Sequence, residues 1–174
     1  MANPTLTLIS SQTLGGTTAS VTFSSIPTSY NDLKLVVSAR GDTTTAAILM
    51  NVKLNGDTGT NYSYTNIEGN SSTVTSTRFS SSTQGISVIS GGISTASTFG
   101  SAELYFPNYN STGTKPFIAF SATENNSISA NNSFLDAFAQ QYRGASGITS
   151  ITLTPNSGNF VANSNFYLYG IKNS

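Results

Sequence analysis

Alternation at period two limits this chain more than any other feature. Leu33, Leu35, Val37 and Ala39 alternate with Lys34, Ser38 and Arg40, and Ile48, Met50, Val52 and Leu54 repeat the pattern around Asn51 and Lys53. Successive side chains of an extended backbone point to opposite faces, so each run reads as a strand with one buried face. Similar short runs cover Thr5 to Ile9, Ser20 to Ser24, Tyr62 to Thr65, Thr73 to Phe79, Gln84 to Ile89 and Phe99 to Phe106. They continue over Pro116 to Ala122, Phe134 to Tyr142, Ile148 to Thr154 and Phe166 to Ile171. Turn signals separate them, among them Gly15-Gly16, Ile26-Pro27, Gly91-Gly92, Pro107-Asn108, Thr112-Gly113 and Pro155 to Gly158. About a dozen short strands with regular breaks predict an all-β fold. Two antiparallel sheets would cover each other's apolar faces in a jelly-roll-like β-sandwich, a single domain over residues 1–174.

Three local expectations follow. Asn55-Gly56-Asp57-Thr58-Gly59 supplies the positive φ of a tight reversal and predicts a hairpin joining the strands on either side. Residues 133–143 fit two periods: Leu135, Phe138, Ala139 and Tyr142 share a helical face behind a capping-box start at Ser133, while Phe134, Phe138 and Tyr142 share one side of a strand. Every neighbouring run is β, so we read a strand. Ser and Thr dominate residues 69–98, where isolated apolar residues predict strands that lie at an edge or pair poorly, mobile or ordered only by a neighbouring subunit.

Composition decides which functions are open. Charged residues are only 8% of the 174, against about 25% in an average soluble protein, and seven Lys plus Arg balance seven Asp plus Glu. Such a chain has no field to attract nucleic acid or an anionic membrane. Enough patterned apolar residues remain, 37% of the chain, to argue against disorder. There is no Cys and no His, which removes disulfides, thiolate sites, imidazole ligands and the Ser-His-Asp arrangement together. The opening Met1 to Ser10 has no basic residue before its short apolar run, and no apolar run approaches a membrane span. The expectation is a soluble product made in the cytoplasm.

Few constellations are left to carry chemistry. A glycoside hydrolase would need two carboxylates from Asp32, Asp42, Asp57, Glu68, Glu103, Glu124 and Asp136, about 5 to 10 Å apart. Solvated loop acids are the simpler reading, and Asp57 reads as a turn residue. Asn55, Asp57 and Asn61 offer oxygens to calcium, but the spacing misses the EF-hand loop. Gly15-Gly16-Thr17-Thr18 lacks the lysine of a phosphate loop. Tyr62, Tyr64, Tyr105, Tyr167 and Tyr169 read mainly as strand-face packing. Tyr109, within Pro107 to Gly113, is the one placed in a loop, where it is a candidate for stacking on a sugar or a partner. No catalytic, cofactor-binding or metal-ligating residue is assigned. Lys34, Lys53 and Arg40 are expected to interrupt open strand edges and so limit uncontrolled pairing.

Several stretches resemble a family of small β-rich virion proteins of tailed phages, particularly phages of aquatic bacteria. They are Ser20 to Pro27, Tyr30 to Val36, Asn55 to Ser63, Phe99 to Ser101 leading into Phe106 to Tyr109, Lys115, Ile148 to Leu153 and Phe166 to Ile171. Residues 69–98 depart from the pattern. The resemblance implies a jelly-roll-like structural subunit of a phage particle, with no enzymatic activity and no cofactor. Its implied partners are copies of itself, a trimer being one arrangement, and the major capsid protein or tail proteins. We expect a head-exterior decoration or cement protein that acts by passive packing. The alternative is a tail-fibre or tail-tip module binding host-surface carbohydrate.

Overall fold

A computed structural model describes residues 5–124 and 133–172, and among them twelve strands form and no helix. In chain order they are β1 (Leu6–Thr13), β2 (Val21–Phe23), β3 (Asp32–Ala39), β4 (Ala47–Leu54), β5 (Tyr62–Asn70) and β6 (Thr73–Ser82). The remainder are β7 (Gly85–Ser90), β8 (Gly100–Phe106), β9 (Lys115–Ala122), β10 (Phe134–Tyr142), β11 (Ile151–Pro155) and β12 (Asn165–Ile171). A four-stranded sheet runs β2-β11-β4-β7, and an eight-stranded sheet runs β1-β12-β3-β8-β9-β10-β5-β6, with every ladder antiparallel.

The core lies between the sheets, where the alternation placed it. Leu33, Leu35, Val37 and Ala39 of β3 face Ile48, Met50, Val52 and Leu54 of β4 across the gap, all buried. Each such aliphatic side chain contributes about 1.5 to 3 kcal/mol of burial. Stacked Phe106 and Phe117, with centroids 5.0 Å apart, fill the interior beside them. Close approach is required at Gly85, where a Cβ would lie 2.6 Å from the Phe117 ring.

Both edges of the small sheet are closed by side chains from the large one. Gln140 of β10 donates to the Ile86 carbonyl and accepts from the Ile86 N–H, each at 2.8 Å, so its amide stands in for the next strand beyond β7. Ser121 of β9 accepts from the Val88 N–H at 3.3 Å. On the opposite edge Gln12 donates to the Thr22 carbonyl of β2 at 2.9 Å. These bonds satisfy backbone groups that an edge would otherwise leave unpaired.

Several expectations are corrected. The turn at Asn55-Gly56 forms, with φ of 55° and 65° and an Asp57 N–H to Leu54 carbonyl bond of 3.0 Å, but no hairpin follows. Its flanking strands belong to different sheets: β4 pairs with β11 and β7, β5 with β10 and β6. The loop through residue 61 carries the chain across the inter-sheet gap, and long-range partners outcompete the neighbour. Lys34 and Lys53 guard no edge either, since β3 and β4 lie inside their sheets. Arg40 is a clamp: its guanidinium donates to the carbonyls of Gly92, Ser94, Thr95 and Thr98 at 2.8 to 3.0 Å and orders the loop before β8.

Residues 69–98 divide. β6 is an edge strand exposed on both faces, as its composition predicts. β7 is also terminal in its sheet, yet it is buried along its whole length, because β8, β9 and β10 pack over it. Residues 133–143 form strand β10, and the helical stripe splits: Phe138 and Tyr142 point inward, Leu135 and Ala139 outward.

Candidate functional site

Register settles which carboxylates meet. Asp32 accepts from the Tyr105 hydroxyl at 2.6 Å and the Asn108 N–H at 2.7 Å. Asp42 accepts from the Asn159 N–H and side-chain amide at 2.8 and 3.1 Å, bonds that hold its carboxyl below the usual range. Asp57 is likewise lowered, by the Asn61 amide at 2.8 Å and then the Gly59 N–H at 2.7 Å. Glu103 pairs with Lys34 at 2.9 Å, and Glu124 accepts from Ser133 at 3.1 Å. Only Glu68 and Asp136 come together, as direct cross-strand partners on the inner face of β5 and β10.

That pair stands apart from the rest. Asp136 is 1% exposed, and neither carboxylate oxygen has a hydrogen-bond partner. Burial, with a smaller contribution from the Glu68 charge, lifts its carboxyl to about 7. Both acids line a hollow of about 200 Å³ under the overhanging β5–β6 hairpin, with Tyr64, Asn66, Thr77, Phe79, Leu49 and Ile86 around it. The oxygens weighed for calcium in the turn are already used: Asn55 accepts from the N–H groups of Thr149 and Ser150, and Asp57 from Gly59 and Asn61. Among the described residues no group of three or more Asp, Glu, His or Cys gathers.

The tyrosines are mostly structural. Tyr62 is fully buried, stacks on Tyr142 at 4.8 Å and accepts from the Leu54 N–H at 2.9 Å. Tyr109 overturns its expected exposure, because it is fully buried and its hydroxyl donates to the Pro27 carbonyl. The backbone of its loop turns at Asn108, where φ is 47°, and the Tyr109 carbonyl accepts from the Ile148 N–H at 2.9 Å. The ring therefore plugs one end of the sandwich. Lys115 is also 1% exposed; its ammonium donates to the carbonyls of Gly113 and Gly144, each at 2.8 Å, and lies 5.7 Å from the Tyr142 ring centre. Burial draws it below the ordinary lysine range.

Sequence reading missed the outer face of the large sheet. Ile118 and Phe120 of β9 are 40% and 53% exposed, Leu135 of β10 is 66%, Ile67 of β5 is 55% and Val74 of β6 is 75%. Register joins them into one patch: Ala137 lies between Phe120 and Ile67, and Leu135 beside Gly69, which lies beside Val74. Small residues on β10 make a trough between these ridges, widening into a groove of about 610 Å³ lined by Arg78, Tyr105, Pro107, Pro116, Ile118 and Gln141. Leu6 and Leu8 extend exposed apolar surface to the far edge. The signal was present in the continuous apolar run Phe117 to Phe120, which an antiparallel strand exposed to water on one face does not need.

No protein-family model, curated protein or solved structure matches the chain. Among the described residues no helix is long and apolar enough to cross a membrane.

Proposed function

We propose that this chain is a structural subunit of a phage particle, a head-exterior decoration or cement protein that acts by passive packing. The observation that carries the reading is the apolar outer face of the large sheet, centred on Phe120 and Leu135, on a molecule otherwise skinned with Ser, Thr and Asn. Large contiguous apolar surface with a polar rim is what a protein–protein interface requires. Net charge of zero spares closely spaced copies the repulsion a charged subunit would meet. The resemblance to phage virion proteins supplies the kind of assembly.

Strand order supports the finer, jelly-roll-like reading. From β2 to β8 the chain passes repeatedly between sheets, and β11 returns between β2 and β4. In this reading the β9–β10 pair widens the large sheet, and β1 and β12 extend its far edge.

Cryo-electron microscopy of the parent particle tests the proposal, with the subunit expected on the head exterior and its β9–β10 face covered. Phe120→Asp and Leu135→Asp variants should stay folded by circular dichroism and lose particle binding. Absence of the protein from purified virions, or particle binding unchanged in both variants, would refute it. A location on the tail, with glycan binding lost on substituting Tyr105 in the groove, would establish the carbohydrate-binding alternative instead.

A further inference from the structure

We infer that Asp136 and Glu68, with the side-chain oxygen of Asn70, form a binding site for a hard divalent cation of the calcium class. Two like charges placed directly opposite on adjacent strands repel, and one of them, Asp136, is buried with both oxygens unpartnered. Asp32, Asp42 and Asp57, at part-buried or exposed positions, each take donors. None of the donors around Asp136 reaches its oxygens: Ser121 lies opposite on β9 and accepts from Val88, and Tyr64, Asn66 and Thr77 line the hollow with Glu68, yet both carboxylate oxygens are without a hydrogen bond. Among the described residues no lysine or arginine lines the hollow.

The oxygens nearby are acceptors that want a cation. Asn70 lies one step beyond Glu68 on the same face of β5, and its Oδ1 is buried without a partner. Just past β9, and across Phe134 from Asn70, the Thr123 hydroxyl is also buried and unpartnered. Carboxylate and amide oxygens without nitrogen or sulfur ligands suit calcium or magnesium, and the looser geometry of strand-borne side chains suits calcium. Two bidentate carboxylates and one amide give about five ligands, and water completes the usual six to eight. Access is provided, since the hollow of about 200 Å³ is several times the roughly 30 Å³ that one water occupies. Tyr64 lines the same hollow, close enough to report on an ion through its emission.

The test uses the full chain, stripped with EDTA and titrated with calcium chloride at pH 7.5 by calorimetry, and with terbium chloride by tyrosine-sensitised luminescence. We expect one saturable site per chain with Kd of about 0.1 to 1 mM, and a melting temperature that rises with calcium concentration. Binding should weaken about tenfold or more at pH 5.5, as protons compete for Asp136. Glu68→Gln, a change at a partly exposed position, should abolish the terbium signal while leaving the circular dichroism spectrum intact, and Asp136→Asn should do the same. No saturation up to about 20 mM calcium, or binding unchanged in Glu68→Gln, would overturn the inference, since a site of this class binds well below that level. So would a melting temperature that responds to acid and not to calcium, because the carboxyl would then simply hold a proton.

Discussion

Lys115 and Asp136 lie on adjacent strands of one inner face, each only 1% exposed, yet their surroundings are opposite. The ammonium donates to two carbonyls and lies near an aromatic ring, whereas the carboxylate meets another acid and no donor. Depth of burial therefore does not tell what a charged group is for. A buried ion with its hydrogen bonds made ties loops together, here residues 113 and 144 across the mouth of the sandwich. One left without them costs stability.

Removing the partnered charge should have the largest effect. Lys115→Met keeps the apolar stem but strands both carbonyls, and should cost about 3 to 5 kcal/mol in urea unfolding. A loss below about 1 kcal/mol would erase the contrast between the two groups.

The orphan should respond in the other direction, through pH. An unfolded aspartate ionises near 3.8 and the folded Asp136 near 7, so between these values the native state holds a proton that the unfolded chain has released. In cation-free buffer the contribution of Asp136 is thus greatest below about pH 4 and falls by the order of 2 to 4 kcal/mol as pH rises to about 7, while Asp42 and Asp57, held low, act in the opposite sense only in stronger acid. Asp136→Asn should flatten that slope and be the more stable protein at pH 8. A wild-type profile without slope across this window would remove the unpaired carboxylate from the account.

Smaller effects sharpen the comparison at other polar groups. Gln140→Leu leaves the N–H and carbonyl of Ile86 unpaired and should cost about 2 kcal/mol, whereas Gln12→Leu, at the exposed edge of β2, should cost about 0.5 kcal/mol. Least of all, Glu103→Gln breaks a surface ion pair with Lys34 and should change stability by no more than about 0.5 kcal/mol. Equal losses at Gln140 and Gln12 would mean that neither the burial of Gln140 nor its second hydrogen bond sets the scale.

Much of the strand content was legible because period-two alternation is local. The inward residues of β3 and β4 could be named one by one, and β6 was recognisable as an edge from its Ser and Thr alone. Ambiguity arose where both faces are apolar. In Phe134 to Ala139 the outward Leu135 and Ala139 completed a false helical stripe with the inward Phe138, and the same two-sidedness in β9 marked the exposed face. Tyr109 misled for a different reason: a loop that folds back over the end of a sandwich buries its ring as fully as a strand does.

What the amino-acid order decided by itself is which segments extend and which side chain of each pair turns from water, since both depend on neighbours one or two residues away. Only the tertiary structure decided that β4 and β5 part company after a well-formed turn, that Gln140 closes the edge of β7, and that Glu68 meets Asp136. Each of these depends on which distant strand lies alongside and in what register, and that choice is made by the whole core at once.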